Sequence, residues 1–175
     1  MSIPKQPTER FGIRLDKQYF NFGSAHFLIF ADGSREELHG HNYRATLELD
    51  AALDKGHVVA DFIVIKPIFK KCCDELDHKT LLPAYHPRLE LRSDAAVVHV
   101  AYSRQDGGFD RFAIPERDVR ILPIANTSSE LLARHLADEF SARMTAALPD
   151  LAVERLRVTV EESPGQSAWV ERTYS

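Results

Sequence analysis

His39 and His41 flank a single glycine, and a third histidine, His26, precedes them in the chain. On a β-strand, residues i and i+2 project to the same face, so His39 and His41 can converge on one ion. Gly40 leaves the backbone between them free of side-chain crowding. Three neutral imidazoles with an open fourth position form the donor set of a catalytic zinc site. Imidazole suits zinc better than magnesium, which seeks hard oxygen ligands. Such an ion polarises a bound carbonyl or lowers the pKa of a bound hydroxyl. Structural histidines satisfied by hydrogen bonds are the alternative for a bare H-x-H, and the third histidine on an inward position shifts the balance toward metal.

Other residues carry chemistry around this group. Glu162 continues an apolar strand face, where an unpaired carboxylate is costly. A buried cation, several N–H donors or a planar guanidine-like edge bound in bidentate fashion would satisfy it. A strand-end glutamate reaching solvent is the other reading. Asp77-His78 stands at a predicted helix end; an aspartate beside a histidine can orient a proton carrier, or the pair is simply a solvated terminus. Glu36, in the loop just before His39, is a candidate general base because of that position. Cys72 and Cys73 share their helical spacing with apolar residues and read as core thiols rather than nucleophiles.

The elements that must position these residues are visible in the periodicity. Residues 13–27 read as a strand, with Phe20, Phe22, Ser24 and His26 on one face. Residues 30–38 read as a polar loop. In HGHNYRATLELD, residues 39–50, His39, His41, Tyr43, Ala45, Leu47 and Leu49 alternate with polar partners, which predicts a half-buried strand antiparallel to the first. HVVADF reads as a short strand. A helix with Pro67 near its first turn follows, burying Ile65, Phe69, Cys72, Cys73 and Leu76. Residues 83–95 read as a loop and 96–114 as a hairpin turning at Asp106-Gly107-Gly108. Thr127-Ser128-Ser129-Glu130 has capping-box spacing and opens a helix running to about Leu148. RLRVTVEES, with Leu156, Val158, Val160 and Glu162 inward, is the last predicted strand. Paired strands with helices that do not alternate singly indicate an α+β fold with an antiparallel sheet.

The 175 residues fit one domain spanning 1–175, with 1–11 a loose N-terminal tail. A net charge of −4 argues against a nucleic-acid binder but not against a local basic pocket. The two cysteines are adjacent, so a disulfide is not expected and a reducing, cytoplasmic setting is. The N-terminus lacks an apolar signal core, and no apolar run is long enough to cross a membrane.

Taken together, FGSAHFL around His26, LHGHNY at 38–43, GHVVADF at 56–62, ELDHKTLL at 75–82, NTSSELLA at 126–133 and VTVEESP at 158–164 resemble the 6-pyruvoyltetrahydropterin synthase family, which includes 6-carboxytetrahydropterin synthase. The segments span nearly the whole chain in the family's order. The resemblance implies the tunnelling fold (T-fold), two main helices on one face of the sheet, and a homohexamer built as a dimer of trimers with sites at subunit interfaces. It implies Zn2+ on His26, His39 and His41, a pterin substrate anchored by Glu162, proton handling by Asp77 and His78, and hydroxyls of Ser128 and Ser129 near the pterin ring.

Two departures qualify it. Pyruvoyl- and carboxy-forming members carry a catalytic cysteine four to six residues before H-G-H, whereas Gly33, Ser34 and Arg35 occupy those positions here. The segment REELHGHNY resembles instead the family's third type, in which a glutamate, here Glu36, replaces the cysteine. Members of that type cleave the side chain of 7,8-dihydroneopterin triphosphate to 6-hydroxymethyl-7,8-dihydropterin for folate biosynthesis. The second departure is an extra β-hairpin inserted at about 84–122. The expected activity is therefore a zinc-dependent lyase of the aldolase type. A 6-pyruvoyl- or 6-carboxy-tetrahydropterin synthase-like lyase and a non-catalytic pterin-binding homologue are the alternatives.

Overall fold

The computed structural model describes residues 9–174. Strands β1 (Gly12–Leu15), β2 (Asn21–His26) and β3 (His39–Ala51) precede helix α1 (Phe62–Asp74). Strands β4 (Lys79–Pro83), β5 (Leu89–Asp94), β6 (Val97–Ser103), β7 (Phe109–Pro115) and β8 (Val119–Leu122) lead to helix α2 (Ser129–Ala147). Strands β9 (Val153–Ser163) and β10 (Gln166–Thr173) end the chain. The main sheet runs β10-β9-β3-β2-β4-β8, with β1 also paired to β3. The expected α+β class holds.

The long strand β3 organises the molecule. Tyr43, Ala45, Leu47, Leu49 and Ala51 are buried and their neighbours are not, as the alternation requires. They share one core with Leu156, Val158 and Val160 of β9, Ile65 and Phe69 of α1, and Leu132, Leu136 and Phe140 of α2. Burial of each such large side chain stabilises by about 1.5–3 kcal/mol. Phe69 meets Phe20 and Phe140 edge-on at 5.1 and 5.8 Å, tying both helices to the sheet. The opposite face of β3 is polar: Arg155 clasps Asp50 through Nε and Nη2 at 2.7 and 3.0 Å.

Several local expectations are corrected. The strand predicted over 13–27 is two strands, because the chain turns between Leu15 and Phe20 and β1 and β2 pair with different parts of β3. HVVADF is not a strand; it leads to Asp61, which caps α1 by accepting from Ile63 N at 2.7 Å. Pro67 is the sixth helical residue, not one of the first turn. The carbonyl it leaves unpaired belongs to exposed Ile63, where water can reach it. Ser128, one residue after Thr127, caps α2. The sheet is mixed, since β2–β4 and β4–β8 run parallel. Strand β10 was not foreseen.

The inserted hairpin is a three-stranded antiparallel meander, β5-β6-β7, whose second turn, 104–108, contains the expected Asp106-Gly107-Gly108. Its first strand lies in the stretch expected to be loop. Val98, Val100 and Tyr102 form a second core with Phe27, Ile29, Leu82 and Leu89. Of the predicted tail, residues 1–8 lie outside the described residues. Residues 9–11 are exposed, and the carbonyl of Phe11 accepts from Ala51 N at 3.3 Å. Among the described residues no helix is long and apolar enough to cross a membrane.

Candidate active site

The β2–β3 register sets His26 directly opposite His39 and Ser24 opposite His41. Gly40 lets the two strands approach, since a Cβ there would lie 3.2 Å from the carbonyl of Ser24. The three imidazoles therefore meet at one end of the ladder. Their centroids are 4.8 Å apart for His26–His39 and His39–His41, and 5.3 Å for His26–His41. One ligand atom from each lies within 4.8 Å of the others, a group able to hold a metal ion.

The hydrogen bonds behind the rings test that fit. His26 Nδ1 lies 3.0 Å from the carbonyl of Thr127, and His39 Nδ1 lies 2.7 Å from the carbonyl of Glu37. A carbonyl only accepts, so each Nδ1 carries the proton and each Nε2 presents a lone pair. Burial lowers the pKa of His26, with Thr127 opposing, and favours the neutral form that a metal requires.

Two carboxylates close on the rings. Glu162 Oε1 lies 3.2 Å from His41 Nε2 and 3.5 Å from His26 Nε2. Glu36 Oε2 lies 3.9 Å from His39 Nε2 and accepts from Leu28 N at 3.1 Å. Two acids against three imidazoles make a site of net negative character, suited to a cation or a cationic edge.

Asp77 and His78 pair at 2.9 Å but do not touch the three rings. Asp77 Oδ1 accepts from Gly23 N at 2.7 Å, and His78 N donates to the carbonyl of Gly23. A Cβ on Gly23 would point toward Asp77 Oδ1, so the pair lies across β2 from Ser24 and His26. Burial raises the Asp77 carboxyl, but the Gly23 N–H and His78 outweigh it and hold it below the usual carboxylate range. His78 is held at φ 56°, a left-handed conformation that costs energy in a residue with a side chain. A cavity of about 480 Å³ here is lined by Gly23, Asn42, His78 and Thr80, and also by Ser24 and His41 of the paired strands.

Ser128 and Ser129 open α2 directly after Thr127, and the Ser128 hydroxyl accepts from Leu131 N at 3.4 Å. The sequence places Thr127 in a capping box and not among the site residues. It is fully buried, its Oγ1 donates to the Phe27 carbonyl at 2.9 Å, and its own carbonyl orients His26. Tyr43 was also missed as a site residue. Its hydroxyl lies 3.0 Å from His26 Nε2, and burial, reinforced by Glu162, raises its pKa so that it stays a phenol. Its place two residues after His41 on the inward face was the available signal. Cys72 and Cys73 are buried in α1 and unbridged.

Residues 15–173 match the 6-pyruvoyl tetrahydropterin synthase family model. The chain is 34% identical over 149 residues to a Methanocaldococcus jannaschii protein provisionally assigned as a 6-carboxy-5,6,7,8-tetrahydropterin synthase, covering 84% of this chain and 86% of that one. The structure of Plasmodium vivax 6-pyruvoyltetrahydropterin synthase superposes with a TM-score of 0.85 at 30% identity, over 95% of this chain and 100% of the other. Variants of the P. vivax protein with its catalytic glutamate changed to alanine or cysteine superpose equally well at 29% identity, over the same shares of both chains. The curled sheet backed by two helices is the T-fold that the sequence led us to expect. By sequence and by fold, the chain belongs to the 6-pyruvoyl tetrahydropterin synthase family.

Proposed function

We propose that the chain is a zinc-dependent lyase that cleaves the side chain of 7,8-dihydroneopterin triphosphate, or a closely related pterin, to 6-hydroxymethyl-7,8-dihydropterin. The observation that carries this reading is Glu36 beside His39, with both cysteines locked in the core of α1. A carboxylate, not a thiol, stands beside the candidate metal group. The P. vivax relative, whose catalytic residue is a glutamate, adds support.

His26, His39 and His41 would hold the ion. Bound zinc would supply a Lewis acid that makes a side-chain hydroxyl of the substrate easier to deprotonate. Glu162 takes the amino-pyrimidine edge in two parallel hydrogen bonds. Glu36 removes the proton from the second side-chain hydroxyl. The bond between the first and second side-chain carbons then breaks, leaving an aldehyde on the departing fragment. Its electron pair passes into the ring imine, and Asp77-His78 returns a proton to the carbon left on the pterin. Ser128 and Ser129 would place hydroxyls near the pterin ring.

Because Asp77-His78 and the three rings occupy opposite faces of β2, one substrate engages both only when they come from different copies. That supports a homo-oligomer, the hexamer of two trimers, with sites between subunits. Two unbridged thiols fit a reducing, cytoplasmic setting.

The M. jannaschii relative favours a second reading, a lyase of the 6-carboxy- or 6-pyruvoyl-tetrahydropterin synthase type. Product analysis after incubation with dihydroneopterin triphosphate separates the readings. 6-Hydroxymethyl-dihydropterin supports the first and a pyruvoyl or carboxy product the second. Absence of any product points to a non-catalytic pterin binder.

A further inference from the structure

The meander β5-β6-β7 and the loop that carries Glu36 are joined at several points. Arg35, immediately before Glu36, lies with its guanidinium carbon 5.4, 5.7 and 5.1 Å from the ring centroids of Phe27, Tyr102 and Phe112. Two of these rings belong to the meander. Arg35 Nε and Nη2 reach Asp110 Oδ2 at 2.9 and 2.8 Å, and Asp110 is also a meander residue. Arg35 Nη1 donates to the carbonyl of Glu36 at 2.6 Å. Tyr102 hydroxyl donates to the carbonyl of Gly33, and Gln105 to that of Asp32.

We propose that Arg35 is a positioning residue through which the inserted meander fixes the carboxylate of Glu36 beside His39. One planar guanidinium does three things at once: it lies among three aromatic rings, donates twice to one carboxylate oxygen and holds the peptide of the next residue. The Glu36 backbone is tied on its other side as well, since its N–H donates to the Leu28 carbonyl at 2.9 Å. With both ends of its peptide held and its Oε2 accepting from Leu28 N at 3.1 Å, the carboxylate is fixed beside His39 Nε2. The Arg35 guanidinium also holds the Asp110 carboxyl below the usual carboxylate range, so the pair stays charged through neutral pH. The insertion then serves catalysis although none of its residues touches the three histidines. Precise placement of a catalytic group has large rate consequences, because a shift of about 1 Å can cost roughly a hundredfold.

The proposal rests on Glu36 acting as the base, so the test includes that residue. Arg35→Met keeps an apolar stem among the rings and removes every donor. With dihydroneopterin triphosphate and the zinc-loaded oligomer, kcat should fall at least tenfold while KM changes less than threefold and zinc content does not change. Asp110→Asn, at the more exposed end of the pair, should show the same split more weakly, and Arg35→Lys should recover part of the rate. In single turnover, adding Arg35→Met to Glu36→Gln should cost nothing further, since the positioned group is already gone. Equal losses in both backgrounds would mean a merely structural role and overturn the proposal. Loss of turnover in Glu36→Gln with full activity in Arg35→Met and Asp110→Asn would also overturn it and leave the base assignment standing. Full activity of Glu36→Gln would remove the base assignment and the proposal together.

Discussion

Glu162 holds its Oε1 3.2 Å from Nε2 of His41. An acid on the strand next to β3 thus meets the histidine group. The proposed role is to bind a guanidine-like edge, where removal of one partner of a charged, buried pair costs about 2–5 kcal/mol. Glu162→Gln should therefore weaken pterin binding roughly thirtyfold or more, by titration calorimetry or KM. Zinc content should be unaffected, and a variant that loses its zinc instead would make Glu162 a metal ligand.

Protein purified without chelator should contain about one zinc per chain by elemental analysis. His39→Ala or His41→Ala should abolish that content. Zinc at a hundred times its Kd stabilises by about 2.7 kcal/mol, which should raise Tm by roughly 5–10 °C for a domain of this size. Metal-free protein that folds normally and does not respond to added zinc would rule the site out.

Glu36→Gln should lower kcat by roughly 10²–10⁴-fold, the usual contribution of a general base. Metal content should be retained, because Glu36 stands 3.9 Å from His39 Nε2 and is not one of the three imidazole ligands. Turnover at the wild-type rate would transfer the base role to Asp77-His78.

The separation of Asp77-His78 from the three rings predicts complementation. Glu36→Gln and His78→Ala should each be inactive alone. Unfolded together and reassembled, they should regain a fraction of wild-type activity, because some shared sites draw both intact parts from different copies. Mixtures that stay inactive despite proven mixed assembly would place the complete site within one chain.

The thiols provide a pH-dependent check. Burial pushes Cys72 up to about 11 and raises Cys73 further. A raised thiol pKa keeps the proton on sulfur as pH rises, so the reactive thiolate stays scarce at pH 8. Iodoacetamide should modify neither residue in the native protein at pH 8 and both after denaturation, read by mass spectrometry. Rapid native labelling at pH 8 would contradict their burial.

Much of the site was legible in the chain itself. Period-two alternation put His39, His41 and Tyr43 on the inward face of β3, and helical spacing put Cys72 and Cys73 in the core, because both patterns depend only on local geometry. Turn chemistry marked Asp106-Gly107-Gly108 for the same reason. The sequence also established that no cysteine precedes H-G-H and that Glu36 does. What it could not determine was pairing between distant strands. The register that sets His26 opposite His39, the division of 13–27 into β1 and β2, and the addition of β10 are settled by which edges meet in three dimensions. The site role of Thr127 escaped notice because its carbonyl, not its side chain, orients His26, and a backbone oxygen leaves no mark in residue type. Arg35 was one residue of a predicted polar loop until folding set Phe27, Tyr102, Phe112 and Asp110 around it, a contact made across long sequence separations that no local period encodes.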